Sequence, residues 1–105
     1  MTIGELQKTI GSFSREHGLD SAPEYRILDL ISEIGEVAKE MLKMTGYGKR
    51  PARFREEMRM ELGDALYSLV TVANSLDIDL EDALKKVLAK YERRLAKGGP
   101  GSENE

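Results

Sequence analysis

The amino-acid sequence predicts an all-α fold, four helices in an antiparallel bundle. Apolar residues recur every three to four positions over four separate stretches. The joints between those stretches are rich in glycine, proline and aspartate, which stop or cap helices. The composition agrees: of 105 residues, 40% are hydrophobic and 33% charged, with no Trp and only two Phe.

The first helix is expected over residues 3–17. Thr2 and Glu5 form a capping box, Ile3, Leu6, Ile10 and Phe13 repeat at helical spacing, and Gly18 supplies a stop. The second is expected over residues 22–44, opened by a second capping box at Ser21 and Glu24 with Pro23 in its first turn. Its apolar stripe is Ile27, Leu30, Ile31, Ile34, Val37, Ala38 and Met41. Residues 45–52 hold two glycines and a proline and break the helix. Around them Lys43, Lys49, Arg50, Arg53 and Arg55 form a basic segment, readable as solvated charge or as a loop that faces phosphate.

A third helix follows over residues 53–76, with Met58, Leu62, Ala65, Leu69, Val72, Ala73 and Leu76 on one side. Asp79 caps the fourth, whose stripe is Leu80, Leu84, Val87, Leu88 and Tyr91. This makes one helical domain over residues 1–97 and a low-complexity tail, 98–105, expected to be disordered. Helices two and three are apolar around nearly half their circumference, more than one such chain can cover, so a homo-oligomer is expected, a dimer or a tetramer.

Composition narrows the chemistry. There is no cysteine, and His17 is the single histidine, so a metal would have to be held by oxygen. No apolar run is long enough to span a bilayer and the N-terminus has no basic-then-apolar leader pattern, so a soluble cytoplasmic protein without membrane contact is expected. The net charge of −3 argues against nucleic acid as a partner.

Two matched tetrapeptides stand out, Glu33-Ile34-Gly35-Glu36 and Glu61-Leu62-Gly63-Asp64. On a helix advancing 100° per residue, the paired acids of each share a face. With Asp29, Glu40 and Glu57 they border the apolar stripe and do not lie opposite it. Like charges at these spacings cost about 0.2–0.5 kcal/mol per pair, and each mid-helix glycine adds about 1 kcal/mol. A solvated acidic face is one reading. The sharper one is a hard-cation site between the two helices, with Mg²⁺ as the metal (Mn²⁺ as substitute) and the glycines allowing close backbone approach. A ferritin-like di-iron site lacks its Glu-x-x-His element.

The fourth helix carries Lys86, Lys90, Arg93 and Lys97 on one face, with Arg94 nearer the apolar edge. These cations either solvate the helix or bind phosphate; Lys86, Lys90, Arg93 and Arg94 are the phosphate candidates. Phe13, His17 and Asn74 are candidates for contact with a nucleobase, and each also reads as core or as a helix-end residue.

Over about residues 25–95 the chain resembles the MazG-type nucleotide pyrophosphohydrolases of the all-α NTP pyrophosphatase superfamily. The resemblance rests on Glu33-x-x-Glu36 and Glu61-x-x-Asp64, on the segment from Asp77 to Leu84, and on the Lys- and Arg-rich last helix. It implies Mg²⁺-dependent hydrolysis of a nucleoside triphosphate to the monophosphate and pyrophosphate, of housecleaning type. By that pattern Glu33, Glu36, Glu61 and Asp64 bind the metal, with Glu33 or Glu36 acting also as base. Many relatives read Glu-Glu-x-Gly-Glu; here Ser32 precedes Glu33 and Met60 precedes Glu61, so two outer acids are absent. A phosphoribosyl-ATP pyrophosphatase of the same superfamily and a non-enzymatic helical interaction module are the alternatives.

Overall fold

All four apolar-periodic stretches are helices in the computed structural model, which describes residues 1–98. They are α1 (Ile3–Glu16), α2 (Pro23–Met44), α3 (Glu57–Ser75) and α4 (Leu80–Ala96), with no strand among the described residues. None of the helices is long and apolar enough to cross a membrane. The tail expected to be disordered lies, beyond Gly98, outside the described residues.

Local chemistry sets most of the boundaries. The Thr2 hydroxyl accepts from the Glu5 amide and the Glu5 carboxylate accepts from the Thr2 amide, which completes the expected capping box. Asp79 caps α4 by accepting from the Asp82 amide. Helix α1 ends on the left-handed Gly18, whose amide donates to the Arg15 carbonyl while that of Leu19 donates to Ser14. Asp77, also left-handed, closes α3 the same way, with the Ile78 amide donating to the Ala73 carbonyl.

Two expected starts are corrected. The second capping box is absent: α2 begins from Ala22 with no side-chain cap. Pro23 at the first turn has no N–H to satisfy, so less is gained from a capping hydroxyl there. Helix α3 begins at Glu57, not near 53. The preceding residues are held by α2 instead: the Arg53 amide donates to the Met44 carbonyl, and the Arg50 guanidinium donates to the carbonyls of Lys43 and Met44. Arg50 thus satisfies the end of α2, where cations are also favoured by the helix dipole.

The most extensive helix contact is α2 on α3. Glu40 meets Arg55, Glu33 meets Glu61 and Asp64, and Arg26 shares a cavity with Thr71. Descending numbers on one helix match ascending numbers on the other, so the pair is antiparallel. Helix α1 lies on α3 through Ser14, whose hydroxyl is 2.9 Å from that of Tyr67, and through the Phe13 ring set edge-on to Tyr67. Helix α4 leans mainly on α1.

Gly35 and Gly63 do not serve a close approach of α2 and α3 within this chain. A Cβ built on either meets no atom within 4 Å. Gly35 lies about 200° around the helix from Glu33, on the side away from the acids.

The chain leaves much of its apolar surface open. Ile10, Met58, Val70 and Ala73 are the buried apolar residues, whereas Ile31 of α2 is 62% exposed, Leu62 of α3 55% and Leu95 of α4 61%. The radius of gyration is 17.0 Å, against about 13 Å for a compact domain of this length.

A polar knot joins three helices. The Gln7 amide donates to the Asn74 side chain and the Ile78 carbonyl and accepts from the Leu80 amide, while Asn74 donates back to the Gln7 carbonyl. Replacing Gln7 by Ala leaves partly buried groups unpaired, at about 1–3 kcal/mol. Urea unfolding of Gln7→Ala should show that loss, with faster amide exchange at Leu80. Unchanged stability would mean that water replaces these bonds without cost.

Candidate metal centre

Helix periodicity brings the acids of the two tetrapeptides to one line between α2 and α3. Carboxylate oxygens of Glu33, Glu61 and Asp64 lie within 4.8 Å of one another; Glu33 and Glu61 are partly buried and Asp64 is exposed. Glu36 stands outside this group, on its exposed side. Its charge nevertheless acts on Glu61. Burial pushes the Glu61 carboxyl above the usual carboxylate range, and the charges of Glu36, Asp64, Glu33 and Glu40 push it further the same way.

Glu40, one turn beyond Glu36, is buried at 4% exposure and accepts a hydrogen bond from the Arg55 Nε. The same guanidinium lies 3.7 Å from Glu57. Arg55 is therefore the cation that borders the acid line, and it comes from the basic segment, not from α4. In sequence it was one cation among several. Its signal was its position, just ahead of α3 and level with the Glu40 end of α2.

The donor set fits a hard divalent ion. Every ligand is a carboxylate oxygen, and burial followed by the like charges around it makes Glu61 hold its proton more tightly. Two oxygens on one Mg²⁺ can be at most about 4.2 Å apart, twice the usual bond length. Closing the group around an ion therefore needs only small side-chain movement.

The other expected site residues are dispersed. Lys86 pairs with Asp82 at 3.1 Å, Lys90 and Arg94 both lie over the Tyr91 ring, and Arg94 is buried. The charges acting on Glu61 all belong to acids of α2 and α3, with none from α4. Phe13 packs 4.5 Å from the His17 ring on one flank of α1. Asn74 belongs to the Gln7 knot.

A cavity of about 740 Å³ opens where the start of α2, the end of α3 and one flank of α1 converge. Arg26 lies on its wall and is buried at 8% exposure. Seven residues before Glu33, it falls on the same face of α2, about 20° away. That offset was readable in the sequence, where a lone cation heads an acidic stripe.

Comparison with known proteins places the chain in context. Residues 22–98 match the model of the MazG nucleotide pyrophosphohydrolase domain. The YpjD protein of Bacillus subtilis (strain 168) is 37% identical over 93 residues, covering 86% of this chain and 79% of YpjD. The solved structure of Bacillus subtilis YpjD superposes with a TM-score of 0.74 at 33% identity, covering 90% of this chain and 96% of the other. That of the Bacillus-conserved MazG protein, a nucleotide pyrophosphohydrolase, gives 0.73 at 29% identity, covering 87% and 89%.

The raised Glu61 carboxyl has a thermodynamic consequence. A group whose folded pKa lies above its unfolded value of about 4.3 favours folding at low pH, and that contribution is lost as pH rises through the folded pKa. In chelator, the melting temperature of Glu61→Gln should therefore overtake that of the wild type as pH rises towards neutral. Added Mg²⁺ should stabilise the wild type more than the variant. A wild type that melts above Glu61→Gln in chelator at pH 7 would contradict this account of the acid line.

Proposed function

The chain belongs to the MazG nucleotide pyrophosphohydrolase family, and from that premise we propose that it hydrolyses a nucleoside triphosphate to the monophosphate and pyrophosphate, in the cytoplasm. The observation that carries the reading is the meeting of Glu33, Glu61 and Asp64, where an uncompensated carboxylate line is matched to a divalent cation. Bound there, Mg²⁺ (or Mn²⁺ in its place) supplies neutralisation of phosphate charge and a water of lowered pKa.

The chain's own residues take the remaining roles. Glu33, Glu61 and Asp64 hold the ion. Glu36, exposed at the edge of the group, either completes the ligand set or accepts the proton of the attacking water, and Glu33 shares that second role. Arg55, held by Glu40 at one end of the line, is a cation that can meet the phosphates of a triphosphate bound at the acids. Lys86, Lys90, Arg93 and Arg94 remain phosphate candidates on the strength of the family pattern. Phe13, His17 and Asn74 remain candidates for the base, and of the three Asn74 lines the cavity with Arg26.

A homodimer or homotetramer is part of the same proposal. The apolar faces of α2, α3 and α4 stay about half exposed in one chain, and full burial of one large aliphatic side chain contributes about 1.5–3 kcal/mol. A second copy presents matching faces.

A pyrophosphate-release assay over common and modified nucleoside triphosphates tests the reading. Glu36→Gln and Asp64→Asn should each lower turnover by at least about a hundredfold while the protein still melts cooperatively. Wild-type rates in either variant would remove that residue from the site.

A further inference from the structure

The cavity between α1 and the α2–α3 pair contains a charged group that the proposed hydrolysis does not use. Arg26 is more than nine-tenths buried, lines the cavity, and its guanidinium has no hydrogen bond or ion pair among the described residues. Asp20 and Asp77 also line the cavity, but neither is within 4.0 Å of the guanidinium. The other buried polar groups on the wall are already engaged: the Ser14 hydroxyl with Tyr67, and that of Thr71 as donor to the Ser68 carbonyl. Its stem is buried while its nitrogens stay accessible from the cavity, so five donors without a protein acceptor are poised for a ligand that supplies acceptors.

Position identifies which part of a ligand that is. Arg26 and Glu33 share a face of α2 and are seven residues, about 10.5 Å, apart along the axis. Thr71 stands in the same relation to Asp64 on α3. The cavity is thus about one nucleoside length from the acids, and its volume lies within the usual range for a small-molecule site. A nucleotide whose phosphates lie at the acids would extend its base towards Arg26.

We infer that the cavity takes the base of the substrate, and that Arg26 selects 6-oxopurines (guanine, hypoxanthine or xanthine) through their adjacent carbonyl and ring-nitrogen acceptors. The inference rests on the pyrophosphohydrolase reading given above. A guanidinium has five donors and no acceptor, and its fork matches the O6 and N7 pair of a 6-oxopurine. Adenine presents an amino donor beside N7, which opposes the fork. Uracil offers a carbonyl without a neighbouring ring acceptor, so the fork is half filled.

The test compares kcat/KM for guanosine, inosine and adenosine triphosphates with Mg²⁺, in the wild type, Arg26→Met and Arg26→Lys. The wild type should prefer the two oxopurines by roughly tenfold to a hundredfold, the worth of one bidentate pair. Both variants should lose most of that preference, with kcat/KM falling for guanosine and inosine triphosphates far more than for adenosine triphosphate. A preference that survives in Arg26→Met overturns the inference. So does an equal loss for all three nucleotides, since Arg26 would then hold phosphate. Calorimetric titration with guanosine and adenosine monophosphates provides an arm that needs no turnover. If no triphosphate is hydrolysed, the parent reading fails, and this arm still decides Arg26: tighter guanosine binding, lost in Arg26→Met, supports the role, and equal binding sinks it.

Discussion

Mutual repulsion of carboxylates is the constraint around which α2 and α3 are arranged. Their most extensive contact runs along a line of acids, and Glu61 feels four other acidic charges. Such a line weakens both helices and their pairing unless something positive enters it. Arg55 answers part of the need at one end, where Glu40 is buried and paired. Among the described residues no ion pair serves the group of Glu33, Glu61 and Asp64. The arrangement gives up stability at one place in the fold and concentrates negative charge there. That combination suits a cation-dependent site better than a solubilising surface.

The same economy explains how the rest of the chain is built. Buried positions on α1 and α3 are taken partly by small polar residues, Ser14, Ser68 and Thr71, while larger apolar residues stay exposed on α2, α3 and α4. With so little apolar burial, α1 and α4 are fastened by specific hydrogen bonds, of which the Gln7–Asn74 knot is the chief example. A radius of gyration well above that of a compact domain belongs to the same picture. A protomer of this kind reads as one part of a larger core, with the open apolar faces as its joining surfaces.

Helical periodicity was readable in the sequence because it depends on residues within one helix. The four helices, the Thr2–Glu5 box, the Asp79 cap and the grouping of acids on matched faces of α2 and α3 all rest on such local rules. Failures came where distant contacts decide. Ser21 has the side chain of a cap, but α2 starts from Ala22 and Pro23. Arg53 belongs by propensity to α3, yet its amide is taken by the end of α2. Gly35 and Gly63 suggested close backbones, and the open space that a Cβ would meet at either one corrects that. Arg26 carried a signal in its register with Glu33, but its burial depends on α1 folding over it, which periodicity along α2 does not reveal.

By helix register the acid line and Arg26 lie on one face of α2, so an anionic cluster and a cation stand about a nucleoside length apart. That polarity fits a ligand with a metal-bound polyphosphate at one end and an acceptor edge at the other. Everything in this account depends on the acids binding a divalent ion. The most direct measurement is electron paramagnetic resonance of Mn²⁺, titrated with protein at neutral pH. The account predicts that the wild type depletes the free-ion signal, that Mg²⁺ restores it by competition, and that joint substitution of Glu61→Gln and Asp64→Asn weakens binding by at least about tenfold. An unchanged Mn²⁺ signal, with and without a non-hydrolysable nucleotide, would contradict it.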